Sequence, residues 1–86
     1  MDFYRVELTR SAEKDLKRID RSQTGTIYRA IERLQQDPRP HGVRKLVGAD
    51  RIYRIRIGDY RVIYEIEDDV LIVLVVRIAH RKDIYR

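Results

Sequence analysis

Eighty-six residues make one small domain, expected to span 1–86, and are too few for two independent hydrophobic cores. The absence of cysteine excludes a disulfide framework and a thiolate zinc site, and two histidines, His41 and His80, with no carboxylate at ligand spacing, predict neither metal nor cofactor. The formal net charge is +5 and 15 of the 19 basic residues are arginine, a side chain that grips phosphate bidentately and stacks on bases, so a nucleic acid is favoured over the plainer reading of an arginine-rich genome.

In chain order, "FYRVELT" alternates, with Tyr4, Val6 and Leu8 on one face of a first strand. Thr9 or Ser11 is placed to cap a helix that carries Ala12, Leu16 and Ile19 at i, i+4 and i+7. "DRSQTG" reads as a break. Ile27, Ala30, Ile31 and Leu34 then form the stripe of a second helix running to about Gln36, and Asp37-Pro38-Arg39-Pro40-His41-Gly42 stops it. "RIYRIRI", Gly58-Asp59, "YRVIYEIE", Asp68-Asp69 and "VLIVLVVRIAHR" form a meander of three strands on two short turns. Val70 to Val76 is apolar on both faces, as in a central strand flanked on its far side by the first one. It is also the longest apolar run and has strand length. No leader, lipidation motif or bilayer-length segment is apparent, so a cytoplasmic protein without membrane contact is expected. The order β-α-α-β-β-β predicts an α+β domain: a two-helix hairpin on one face of a twisted, mainly antiparallel four-stranded sheet.

The register of the hairpin sorts its side chains. With Gly58-Asp59 as a two-residue loop, Ile57 faces Tyr60, Ile55 faces Val62 and Tyr53 faces Tyr64, all on the helix side. Arg56 then opposes Arg61 on the other side, with Arg54 two residues along. Like charges directly opposite are unfavourable. A screened, solvated surface tolerates them, but the cluster also makes a ready phosphate site. Glu65 and Glu67 share that face by parity and would balance its charge. The basic end, with Arg77, His80, Arg81, Lys82, Tyr85 and Arg86, adds to it, although a two-residue turn at Asp68-Asp69 puts Arg81 on the helix side by strict alternation. Lys45, Arg77 and Lys82 are further candidates for RNA contact.

The element order, together with "YRIRIGDYRVIY", a short acidic turn, an apolar strand and "HRKDIY", resembles the RelE/ParE superfamily of type II toxin–antitoxin toxins, most strongly from about Lys45 to Tyr85. The resemblance implies a microbial-ribonuclease-like fold and, in the RelE branch, an endoribonuclease that cuts mRNA in the ribosomal A site. It implies as partners the ribosome, its message, and a cognate acidic antitoxin of the RelB kind in a toxin–antitoxin hetero-oligomer. The site it implies comprises Arg54 and Arg56 (lysines in a well-known member), Arg61, Arg81 and Tyr85. The alternatives it leaves are ParE-like inhibition of DNA gyrase and a catalytically silent relative that only binds its antitoxin.

Metal-free RNA cleavage has the 2′-OH attack the adjacent phosphorus while the 5′-oxygen leaves. Guanidinium groups aimed at the non-bridging oxygens stabilise the charge that develops. Arg61, helped by Arg54, is assigned that role, Arg81 the leaving oxygen, and Tyr85 stacking on a base. The general base is open. Arginine stays protonated, which disfavours Arg56, whereas His80 has a suitable intrinsic pKa and is weighed as acid or base against a purely structural role.

Overall fold

The computed structural model describes residues 3–48 and 50–84. The chain runs β1 (Arg5–Leu8), α1 (Arg10–Arg18), α2 (Arg21–Arg33), β2 (Arg44–Lys45), β3 (Ile52–Ile57), β4 (Tyr60–Glu67), β5 (Ile72–His80) and the short α3 (Arg81–Ile84). The strands form one sheet of order β1-β5-β4-β3-β2. β1 lies parallel to β5 and the other pairs are antiparallel. The expected α+β class holds, with β2 and the short α3 added to the expected order, and β5 is flanked by β1 as its two-sided apolar pattern required. The sheet has five strands instead of four, because the two exposed residues of β2 pair with Tyr53 and Arg54.

α1 starts where Thr9 accepts a hydrogen bond from the Ala12 amide, with Glu13 in its first turn and Lys17 and Arg18 in its last, each of the sign that suits its end of the helix dipole. The predicted break at "DRSQTG" is much shorter: only Ile19 and Asp20 lie between the helices, and the Asp20 carboxylate accepts from the Ser22 amide and opens α2 at once. Gly25 therefore sits inside a helix, a cost of about 1 kcal/mol that the Asp20 cap and the buried stripe of Ile27 and Ile31 offset. α2 itself ends at Arg33, short of the expected Gln36.

The core joins Ala12, Leu16, Ile19, Ile27, Ile31 and Leu34 from the helical hairpin to Val62, Tyr64, Ile66, Val73, Val75 and Ile78 from the two middle strands. Tyr53, Ile55, Ile57 and Tyr60 pack at its margin, so the hairpin register is the one that parity dictated. Tyr64 is fully buried, and its hydroxyl donates to the Pro38 carbonyl at 2.8 Å, which satisfies its polar end. Burial holds the Tyr64 pKa well above the usual phenolic value.

The turn between β4 and β5 spans four residues, 68–71, and not Asp68-Asp69 alone; Leu71 sits at φ 55°. Asp68 fastens it. Arg39, from the loop after α2, donates to both carboxylate oxygens (3.2 and 2.8 Å), and Tyr4 donates to Oδ1 at 2.5 Å. The Arg39 guanidinium also lies 5.2 Å from the Tyr53 ring centroid. Hydrogen bonds from Arg39 first, then Tyr4, lower the Asp68 pKa to about 2. A carboxylate depressed in the fold contributes stability above its unfolded pKa and loses it as pH falls through the folded one. The Asp68→Asn variant should therefore be less stable than wild type at neutral pH, with the gap closing between about pH 4 and pH 2; urea midpoints measured across that range check it, and a constant gap would refute it.

Candidate nucleic-acid interface

The hairpin β3–β4 builds the site. Gly58 has φ 59° and opens the two-residue Gly58-Asp59 turn, so Ile57 pairs with Tyr60 and Arg56 with Arg61. In a two-residue hairpin the pair next to the loop exchanges backbone hydrogen bonds, and the following pair, here Arg56 and Arg61, brings its side chains closer together. Two guanidinium groups there repel unless each has something to hold. Arg56 Nε donates to the Gly58 carbonyl at 3.2 Å, which draws its head back over the turn.

β2 supplies what sequence reasoning missed. Arg44 pairs with Arg54, so both lie on the same side of the sheet as Arg56 and Arg61. Gly42, Arg44, Arg54, Arg56 and Arg61 line a cleft of ≈ 360 Å³. Gly42 takes φ 91° with no heavy atom within 4 Å of where a Cβ would stand, so the chain enters β2 without obstructing the cleft. Among the described residues, Arg44, Arg54 and Arg56 form no ion pair. Glu67 lies 4.0 Å from Arg51 and thus balances charge at the other end of the strand. The cleft is a concave cluster of forked donors with no carboxylate among the described residues of its lining, suited to the oxygens of consecutive phosphates.

An irregularity in β5 precedes Arg81, which meets the β3–β4 turn. Tyr64 pairs with Val75 but Ile63 pairs with Arg77, so Val76 is an extra residue on β5. The bulge inverts the alternation: Val73 and Val75 face the core before it and Ile78 after it. Ala79 stands opposite Arg61, and Arg81 follows β5 as the first residue of α3. The Arg81 amide donates to the Asp59 carbonyl at 2.8 Å, and its Nε lies 3.8 Å from Asp59 Oδ1, so the β3–β4 turn touches both Arg56 and Arg81.

Among the described residues, His80, Arg77, Lys45 and Lys82 do not line the cleft. His80 pairs with Tyr60 and meets its ring edge-on at 5.2 Å, on the helix side of the sheet, in a separate recess with Asp15, Arg18 and Arg77. Its Nδ1 accepts from the Lys82 amide at 3.2 Å. This position keeps His80 out of the cleft lining, on the helix side of the sheet where strict alternation put Arg81. Arg77 is tied to Asp15, with Nε at 2.8 Å and Nη2 at 3.4 Å, and that hydrogen bonding raises its pKa. Lys45 opposes Tyr53 and by register shares the helix side, and Lys82 is exposed in α3. Tyr85 lies outside the described residues. Among the described residues no cluster of ligating side chains could hold a metal.

Residues 6–85 match the model of a family described as the ParE toxin of type II toxin–antitoxin systems. Toxin RelG of Mycobacterium tuberculosis is 33% identical over 96% of this chain and 97% of its own length. Toxin RelE3 of Methanocaldococcus jannaschii is 32% identical over 94% of each chain. Among solved structures, the archaeal RelE–RelB complex from Pyrococcus horikoshii superposes with a TM-score of 0.82 at 27% identity, covering 92% of this chain and 96% of that one. The M. tuberculosis RelBE2 toxin–antitoxin complex gives 0.83 at 25% identity, covering 94% of each chain.

Removing one cleft arginine should weaken polyanion binding without unfolding the domain. For Arg44→Ala or Arg54→Ala, the slope of log affinity against log salt for a single-stranded RNA should fall by about 0.7, with little change in melting temperature; an unchanged slope would remove that arginine from the interface.

Proposed function

The chain belongs to the RelE/ParE superfamily of type II toxin–antitoxin toxins, and from that premise we propose that it is an endoribonuclease that cuts mRNA in the ribosomal A site without a metal ion. The observation that carries this reading is the gathering of Arg44, Arg54, Arg56 and Arg61 on one cleft, with Arg81 at the turn beside it. In the reaction, the 2′-oxygen forms a bond to phosphorus and the bond to the 5′-oxygen breaks. The products are a 2′,3′-cyclic phosphate, or the 3′-phosphate formed from it by water, and a 5′-OH. Arg61 and Arg54 hold the non-bridging oxygens as the phosphorane gains charge, and Arg44 extends the grip to a neighbouring phosphate. Arg81 stabilises the leaving oxygen, and Tyr85 stacks on a base.

No histidine or carboxylate lines the cleft among the described residues, and Arg56 cannot serve as a base at ordinary pH. Catalysis on this reading rests on charge stabilisation and on alignment of the sugar with the phosphate, the 2′-proton passing to solvent and the leaving 5′-oxygen taking a proton from water. The ribosome supplies that alignment by presenting the message in a fixed geometry. An antitoxin, the kind of partner present in the toxin–antitoxin complexes of similar fold, is the proposed partner here, and an acidic one would be drawn to the +5 chain by steering.

The ParE family match favours a second reading, inhibition of gyrase. A translation reaction with primer extension separates the two: cuts within codons are expected, whereas uncut messages together with blocked plasmid supercoiling would select the second. Arg61→Ala should lower the cleavage rate by roughly a hundredfold or more with folding intact. His80→Gln should retain most of the rate, and the wild-type rate should show no inflection near pH 6.5; a histidine-like inflection lost in His80→Gln would restore His80 as the base.

A further inference from the structure

The bulge that precedes Arg81 and its contact with the β3–β4 turn is held by α1 and the threonine that caps it. Thr9 donates its amide to the Val75 carbonyl at 2.9 Å and its hydroxyl to the Val76 carbonyl at 2.8 Å. The same hydroxyl oxygen accepts from the Ala12 amide at 3.1 Å. Two turns along α1, Asp15 Oδ2 accepts from the Ile78 amide at 2.9 Å and from Arg77 Nε at 2.8 Å. Thus the side chains of α1 take the carbonyl of the extra residue and the amide two positions beyond it. A bulge leaves backbone groups out of the ladder, and buried or half-buried groups of that kind need partners. Here Thr9 and Asp15 supply them. Both residues are partly buried.

An alternative, bulge-free register is available to β5. It would continue the pairing of Tyr64 with Val75 to Val62 with Arg77 and Tyr60 with Ala79. Arg77 would then enter the core in place of Ile78, and Arg81 would follow it to the helix side. The core disfavours that register, but it does not fix the local geometry of the extra residue. The hydroxyl of Thr9 does, because it is the only side-chain donor to the Val76 carbonyl among the described residues.

We propose that Thr9, supported by Asp15, is a positioning residue that acts through Arg81. By fixing the Val76 bulge it sets the direction in which Arg81 leaves β5 and its seat against the Asp59 carbonyl. The inference rests on the ribonuclease reading only for its kinetic consequence.

The test uses the full chain with programmed ribosomes in single-turnover cleavage. Thr9→Val keeps the side-chain shape and removes the hydroxyl, and Thr9→Ser restores it. Thr9→Val should slow the cutting step roughly ten- to a hundredfold at saturating protein, with the half-saturating concentration nearly unchanged and the rate recovered in Thr9→Ser. In an Arg81→Ala background the same substitution should cost nothing further. Asp20→Ala, which removes the cap of α2 and leaves the bulge alone, controls for lost helix capping and should keep the rate. An equal loss with and without Arg81, or a wild-type rate in Thr9→Val, would overturn the proposal.

Amide exchange read by NMR decides the structural part independently of cleavage. The Arg81 and Ile78 amides should exchange faster in Thr9→Val while β3 amides keep their protection; unchanged exchange at Arg81 would overturn the proposal even if the rate fell. If the wild-type chain cuts no message, the ribonuclease reading fails by itself, and the exchange arm still decides whether Thr9 seats Arg81.

Discussion

The Gly58-Asp59 turn governs this molecule. Its length fixes which residues of β3 and β4 stand opposite each other, and pleating then assigns every side chain of the hairpin to a face. Val62, Tyr64 and Ile66 go under the helices and the arginines go out. A slip of one residue would bury guanidinium groups and expose the aromatic and aliphatic half of the core, a penalty no surface interaction could offset. The repulsion between Arg56 and Arg61 is therefore accepted as the consequence of a register that the core enforces. The Gly58 carbonyl moderates it by holding one of the two heads.

The same turn gathers the candidate site. Arg56 bonds to it from β3 and the Arg81 backbone from the start of α3, so two arginines distant in sequence share one anchor. The far end of the sheet has a different anchor, the Arg39–Asp68 pair with Tyr4, which secures the β4–β5 turn to β1 and to the loop after α2. Between the two anchors the middle strands are packed by the helical hairpin. This leaves the outer face as a rigid platform and puts the cation-rich cleft on strands, where position is better defined than on loops.

Much of this was legible in the sequence, and the failures have particular causes. Alternation gave β1, β3 and β4 with the correct faces, and periodicity gave both helices. The arginines of the hairpin were placed correctly because a two-residue turn leaves only one register. β2 was not legible: two exposed residues, Arg44 and Lys45, carry no periodic signal, and their pairing depends on β3 having a free edge. Arg44 was missed with it, although an arginine one residue before the lysine singled out from the family motif was the available hint. The break at "DRSQTG" was overread because composition shows turn-forming residues but not whether an aspartate at their head will cap a helix and recruit them.

By itself the sequence determined the fold class, the family and the face on which Arg54, Arg56 and Arg61 lie, because these follow from local periodicity, a short turn and a matching order of elements. Only the tertiary structure decided which C-terminal residues share that face. One extra residue at Val76 inverts the parity of β5, so that Arg81 comes to the turn beside the cleft and His80 goes to the far side. Nothing in the local sequence of β5 announces a bulge. The core selects the bulged register, and Thr9 and Asp15, more than sixty residues away in the chain, bond the backbone groups it leaves open.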